Sequence, residues 1–299
     1  MTISGAPLED PLASGVVSGG RGCRLKELRV TRRNSTFQVL QALKTNRAKR
    51  NEMNEVFVEG IASIKAARRG GHVVRRIVHA ERRPLSGWAR SLIEESTTAQ
   101  VISLEATLYG ELCDREDPSE VIATFEKKGM SLSEARLSQK PFVVVLDRPA
   151  NHGNLGSIIR SANAFSVDLL IAVGHGVDFY DPAVIRSSIG SIFSAQICHV
   201  DSLKELTGWI ETQRALSPGL TCVGTDSKGS TVADEKAPLE RPVVLLLGNE
   251  ARGLSVELKG LADRMVRIPM TGSVDSLNVA CAASILMYEV ARGALRPRG

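Results

Sequence analysis

No run in this 299-residue chain reaches the roughly 18 uncharged apolar residues that a membrane-spanning helix needs. The longest candidates, Phe142–Leu146 and Val243–Leu247, are strand-sized. The N-terminus lacks the basic and then apolar stretches of a secretory signal. Cysteine is sparse: five residues, at 23, 113, 198, 222 and 281, with no CxxC pair. Neither a disulfide framework nor a structural zinc site is expected, and a reducing cytoplasm is. Without secretion, the glycosylation sequon Asn34-Ser35-Thr36 carries no meaning. Several site signatures are also missing. There is no GxGxxG after a strand, no GxxxxGK[ST], no HExxH and no GxSxG. Dinucleotide-binding Rossmann sites, P-loops, zincins and nucleophile elbows are therefore unsupported. The histidines at 72, 79, 152, 175 and 199 show no ligand spacing, so no metal is expected.

What is present is the balance of a soluble globular protein, 43% hydrophobic and 24% charged, and long enough for one large domain or two ordinary ones. The net charge of +5 is unevenly spread. Residues 21–90 hold 18 Lys and Arg against five acids, residues 91–299 hold 20 against 26, and residues 1–20 hold two acids and no base. A +13 block in an otherwise mildly acidic chain is the electrostatic footprint of a protein that meets a polyphosphate.

Residues 1–20 are rich in Gly, Ser and Ala and read as a flexible tail. Between Glu27 and Gly60 the pattern is helical, with Phe37, Leu40 and Leu43 on one side and Lys44, Arg47, Lys49 and Arg50 following. Glu55–Glu59, Val73–His79 and Val101–Leu104 read as strands, and Ile61–Arg69 and Trp88–Glu95 as helices. Residues 21–126 thus form a small α/β domain, and the polar residues 127–140 a linker. From Pro141 the second domain, 141–299, alternates short apolar strands with helices, which argues a parallel sheet covered on both faces. Its strands are Phe142–Leu146, Leu169–Val173, Leu220–Gly224, Val243–Leu247 and Arg267–Pro269. Its helices are Gly156–Ala164, one beginning at Pro182, Leu203–Leu216 and Ser276–Leu295.

Three glycine-containing turns each follow a strand: Asn151–Ser157, Gly248–Leu254, and Ile268–Gly272 running on to Asn278. Ligands of parallel sheets bind beyond the carboxyl ends of the strands, and glycine lets main-chain groups approach them. Three such turns, each with polar side chains, make a candidate site. Arg160 and Asn154 lie on or before the first helix, Glu250 in the second turn, and Ser276 and Asn278 at the last helix. Each has a structural alternative: Asn154 and Ser276 as helix caps, Glu250 as a packing residue, Arg160 as a solvated surface residue.

The segments NHGNLGSIIRSANAF, LLLGNEARGLS and IPMTGSVDSLNVACAASILMYE resemble the three ordered motifs of the SpoU or TrmH branch of the SPOUT RNA methyltransferases. The resemblance covers about residues 141–295. Residues 27–126 are similar to the substrate-binding domain found ahead of it in ribosomal RNA enzymes of the family, which resembles the ribosomal-protein L30e-like fold. Among the members, the chain is most similar to 23S rRNA enzymes of antibiotic-producing actinomycetes that confer resistance to a ribosome-targeting drug. The resemblance implies a knotted parallel-sheet domain with a deep trefoil knot, an exception to the rule against knots, and a homodimer. It implies methyl transfer from S-adenosylmethionine to a ribose 2′-hydroxyl, with Arg160 as the catalytic arginine. It maps cofactor contacts, largely main-chain, to Thr225, Gly248, Ile268 and Leu277, with Asn249 adjacent. One departure is Phe165-Ser166, where the family has glycine after the phenylalanine.

An arginine stays protonated at neutral pH and is a poor base. Arg160 is therefore read as gripping the adjacent phosphate and polarising the hydroxyl, with the proton acceptor left open. Glu250 either orders its turn or orients Arg160 through an ion pair. RNA recognition falls to Arg32, Arg33, Lys44, Arg47, Lys49 and Arg50, with Arg186 in the catalytic half. Phe37 is read as core. The apolar helix from Leu277 is either a core helix or a dimer face. Two alternatives to a 23S rRNA enzyme are a tRNA ribose methyltransferase and an RNA-binding module that has lost catalysis. The full basic domain weighs against the first, and the intact polar set against the second.

Overall fold

The computed structural model describes residues 27–114, 118–226, 231–232 and 239–295. The expected tail and Cys23 lie outside them. The first unit runs β1 (Leu28–Val30), α1 (Ser35–Thr45), α2 (Arg47–Met53), β2 (Glu55–Glu59), α3 (Ile61–Arg69), β3 (Val74–Ala80), α4 (Gly87–Glu95), β4 (Gln100–Leu104), α5 (Ala106–Leu112) and β5 (Val121–Glu126). Its five strands lie in the order β1-β4-β3-β5-β2. β1, β4 and β3 are parallel, and β5 runs antiparallel to both β3 and β2. The helical stretch after residue 34 is two helices rather than one, because Asn46 ends the first and starts the second. Its N–H donates to the Ala42 carbonyl at 2.8 Å, while its side chain accepts from Lys49 N at 3.2 Å. Such a side-chain cap offers the backbone an alternative to continuing the helix. Phe37, Leu40 and Leu43 are fully buried beneath α1, as their spacing requires.

The second unit runs β6 (Phe142–Asp147), α6 (His152–Ala164), β7 (Leu169–Val173), α7 (Pro182–Ser187), β8 (Ile197–Val200), α8 (Leu203–Leu216), β9 (Thr221–Thr225), β10 (Thr231–Val232), β11 (Val243–Leu247), α9 (Val256–Leu261), β12 (Arg264–Arg267) and α10 (Val279–Leu295). The seven strands, ordered β10-β12-β9-β11-β6-β7-β8, are parallel throughout. β6 and β11 are buried along their whole length, which is why both read as unbroken aliphatic runs. The chain builds outward from β6 through β7 to β8 and then crosses back, so the strand order reverses between β6 and β11. That switch point is where an open α/β sheet leaves a crevice at the carboxyl ends.

The two sheets are fused, not tethered. One continuous core contains Val56, Ile64 and Phe125 from the first unit and Val184, Ile192 and Phe193 from the second. Gly70 passes so close to Phe193 that a Cβ there would sit 2.3 Å from its carbonyl oxygen. The expected linker is also packed. Leu132 is buried, and its carbonyl accepts the Trp209 indole N–H at 3.2 Å. The Tyr180 hydroxyl donates to the Lys128 carbonyl at 2.7 Å.

Candidate active site

The carboxyl ends of β6, β11, β9 and β12 are neighbours in the sheet, so the loops that follow them meet at one edge. α6 begins at His152, a turn earlier than the sequence pattern suggests, because the Asn151 side chain caps it by accepting from Asn154 N at 2.9 Å. Asn154 is therefore a helical residue of the first turn and not the cap. Its side chain joins all three turns. Its amide Nδ2 donates to Glu250 Oε1 at 3.2 Å, and its Oδ1 accepts from Asn278 Nδ2 at 3.0 Å. Glu250 also accepts from the main-chain N–H groups of Ala150 and Asn151, both at 3.2 Å. Asn278 caps α10, its Oδ1 accepting from Ala280 N at 2.8 Å. Glu250, Asn154 and Asn278 form one hydrogen-bonded chain, and each orients the next.

The second turn is shaped by Asn249 and Gly248. Asn249 closes the turn onto itself, accepting on its side chain from Ala251 N at 3.0 Å, and donates to the Arg148 carbonyl at 2.8 Å. Arg148 is held in the left-handed region at φ 46°, clamped to the buried Asp147 by an N–H···O bond of 2.7 Å. A Cβ on Gly248 would lie 2.4 Å from the main chain of Gly253 and Leu254, so this crossing requires glycine. Thr225, at the end of β9, donates to the Leu246 carbonyl at 3.1 Å. Ile268 is half-buried and Leu277 exposed. Among the described residues, the main chain of residues 270–277 makes no hydrogen bond, so its donors and acceptors stand open beside these apolar side chains.

Arg160 is exposed and, among the described residues, unpaired. The ion pair to Glu250 that the sequence allowed is not formed; Glu250 is committed to Ala150, Asn151 and Asn154 instead. The helix geometry explains this. At 100° per residue, Asn154, Ser161 and Phe165 share one stripe of α6. That stripe faces α10 through Asn278, through Ser284 at 2.7 Å from Ser161, and through Tyr288 against the Phe165 ring. Arg160 lies on the adjacent exposed stripe with Gly153, Ser157 and Ala164. Ser276 is exposed and is not hydrogen-bonded to the three-residue chain. α10 starts at Val279, so Ser276 is not its cap.

The basic residues fare differently from one another. Arg32 is exposed and unpaired among the described residues, Arg33 pairs with Glu111 at 2.9 Å, and Lys49 pairs with Glu52 at 2.9 Å. Lys44 and Arg186 share Asp114, at 2.7 and 2.8 Å. Burial opposes ionisation there, but hydrogen bonds from these two cations hold the Asp114 carboxyl below its ordinary range. Arg47 donates to the Gly176 carbonyl at 3.3 Å. Arg50 is a correction: it is 2% exposed, paired with Asp178 at 2.8 Å and Asp181 at 3.4 Å, and it donates to the Leu43 and Lys44 carbonyls. It fastens the two units together and is not available to RNA. The structural work of Asn151 and of the Asp147–Arg148 pair was not anticipated; an Asx residue ahead of a helical stretch is the signal that marks the first.

The SpoU rRNA methylase family profile matches residues 141–288, and that of the SpoU L30e-like domain matches residues 34–123. The chain is 41% identical over 265 residues to a 23S rRNA (uridine(2479)-2′-O)-methyltransferase of Streptomyces viridochromogenes, covering 88% of this chain and 92% of the relative. The crystal structure of the SpoU methyltransferase AviRb from that organism, in complex with AdoMet, matches with a TM-score of 0.82 at 39% identity, covering 89% of this chain and all of that one. An AdoMet-bound rRNA methyltransferase from Sinorhizobium meliloti matches with a TM-score of 0.77 at 29% identity, covering 91% of this chain and 99% of that one.

Proposed function

From a chain that belongs to the SpoU rRNA methylase family, we propose an enzyme that moves a methyl group from S-adenosylmethionine to a ribose 2′-hydroxyl of 23S rRNA. The observation that carries this is the Glu250–Asn154–Asn278 chain, which ties the three turns into one preorganised edge. The edge fits the cofactor. Thr225, Gly248, Asn249, Ile268 and Leu277 stand on neighbouring loops, and open main-chain groups beside apolar side chains suit an adenosine with a polar tail. When bound, that group supplies an already activated methyl on a sulfonium. The chain's own residues then align the sugar oxygen and handle charge. Asn154, both of whose amide ends are held, presents a fixed face to the substrate. Arg160, with its guanidinium uncommitted, grips the phosphate next to the target ribose and lowers the cost of developing negative charge on the oxygen. Ser276 is exposed, makes no hydrogen bond among the described residues, and is available to the substrate.

The same reading includes a homodimer. On the exposed stripe the small residues Gly153, Ser157 and Ala164 flank Arg160, and the stripe adjoins α10, where Ile285 and Tyr288 are 40% and 46% exposed. A second copy seated there would bury them and bring Arg160 into the seam. A trefoil knot also belongs to this reading, supported by the position of β11 between β9 and β6. Residues 21–126 are read as the rRNA-binding part, 127–140 as their junction and 141–299 as the methyltransferase part. The setting is read as the cytoplasm, and among the described residues no helix is long and apolar enough to cross a membrane. A role in drug resistance rests on the sequence resemblance alone.

The test is Arg160→Ala. Tritiated methyl transfer to 23S rRNA should fall about 100-fold or more, with cofactor binding by calorimetry and the melting temperature unchanged. Normal turnover would remove Arg160 from the reaction.

A further inference from the structure

The seam between the two sheets carries more positive charge than it spends. Arg47 on α2 is half-buried and uses one N–H on the Gly176 carbonyl at 3.3 Å. Gly176 in turn lies against the first turn of the candidate site. A Cβ on it would be 2.8 Å from the Pro149 carbonyl oxygen, and Val177 N donates to that same oxygen at 2.8 Å. The next two residues, Ala150 and Asn151, hand their N–H groups to Glu250. The Arg47 guanidinium is therefore anchored at the rim of the methyl-transfer edge.

Lys127 joins it there. Its ammonium donates to Asn51 Oδ1 at 2.5 Å and sits 5.4 Å from the centre of the Tyr180 ring. Burial depresses its pKa, and although Asp178 opposes this, Arg47 and Arg50 push the same way as burial. The anions nearby are already taken. Asp178 and Asp181 are bound by the buried Arg50, and Asp181 also caps α7 and lies 3.8 Å from His152. Among the described residues, neither Arg47 nor Lys127 forms an ion pair with a carboxylate of its own. His175, exposed and without a partner among the described residues, is next in the chain to the Gly176 carbonyl that Arg47 holds.

We propose that Arg47 and Lys127, with His175 next to them in the chain, bind a second phosphodiester of the RNA strand, distinct from the one that Arg160 grips. A planar guanidinium fork with free donors matches phosphate geometry, and a half-buried ammonium gains most from an anion that relieves its neighbours. The fused domains make this a fixed distance from the reacting edge, so the site sets which nucleotide reaches Asn154. The inference rests on the methyl-transfer reading and sharpens it.

The experiment measures binding of in-vitro transcribed 23S rRNA to the full chain against salt, beside methyl transfer. Arg47→Ala and Lys127→Gln should each weaken binding about tenfold and lower the salt slope by about one contact. Arg47→Lys should keep most of the slope, and Lys204→Ala, a surface cation outside the cluster, should leave it unchanged. Inorganic phosphate at millimolar concentration should compete weakly and equally with wild type and Lys204→Ala. Unchanged affinity and slope in Arg47→Ala and Lys127→Gln, with melting temperatures intact, would overturn the site. Binding without methyl transfer by wild type would instead overturn the enzymatic reading, and no binding at all would overturn both.

Discussion

Replacing Arg50 by Met keeps the length of the side chain and removes its charge. In the folded protein this strands Asp178, which is 9% exposed at its side chain, and releases Asp181, which is 23% exposed and partly hydrated. Removing one partner of a buried ion pair costs about 3–5 kcal/mol. The partial solvent exposure of Asp181 places this case at the lower end, about 3 kcal/mol. For a chain of this size each kcal/mol moves the melting temperature by about 2–4 °C, so thermal unfolding followed by circular dichroism should show a fall of about 6–12 °C. The salt slope of RNA binding, measured at a temperature where the variant is folded, should not change, because no phosphate contact has been lost. An unchanged melting temperature with a slope lowered by about one would refute the argument and return Arg50 to the RNA face.

Ser166 occupies the left-handed position after α6 at φ 54°, where Val167 N reaches back to the Ala162 carbonyl at 2.9 Å. Ser166→Gly should stabilise the protein by about 0.5–1 kcal/mol in denaturant titration; a loss of stability would mean the serine is not strained. Asn278→Ala removes both a helix cap, costing about 1 kcal/mol, and one tether of Asn154. The rate constant for methyl transfer should fall more than cofactor affinity, and an unchanged rate would reduce Asn278 to a cap. The pair Glu27–His79 gives a pH signature. A hydrogen bond from His79 lowers the Glu27 pKa; for His79, burial is the largest single influence and opposes the charge, but the bond and charge of Glu27 together with a bond to the Ala80 carbonyl raise the pKa. The raised group stabilises below its unfolded value of 6.5 and loses this as pH rises, and the lowered one stabilises above 4.5 and loses this as pH falls. His79→Gln should therefore cost stability near pH 5.5 and little near pH 8; an equal cost at both would contradict the pairing.

How much of this was legible in the sequence depends on how local the cause is. β6, β7 and β11 are buried on both faces, and their aliphatic runs announce it. The two halves of the chain and the three turns could be read because strands, glycines and polar residues stand next to each other in sequence. β8 was missed because Ile197–Val200 is four residues long with His199 in it, and β5 because Val121–Glu126 follows a polar stretch. The start of α6 is hidden in the sequence because Gly153 sits in its first turn, where an Asn151 cap outweighs the low helix propensity of glycine. Arg50 looked like its basic neighbours, since its carboxylate partner lies 128 residues away. The same blindness hid the shared core. Removal of residues 1–126, which reads from sequence as a clean domain deletion, would expose Val184, Ile192 and Phe193.

If three turns at one sheet edge align a methyl donor with a ribose oxygen of 23S rRNA, the product is a single ribose mark. Ribose-methylation mapping of 23S rRNA incubated with the full chain and S-adenosylmethionine tests it most directly. One new 2′-O-methyl nucleotide should appear, and be absent with Arg160→Ala; no new mark, or a methyl group on a base, would rule this chemistry out.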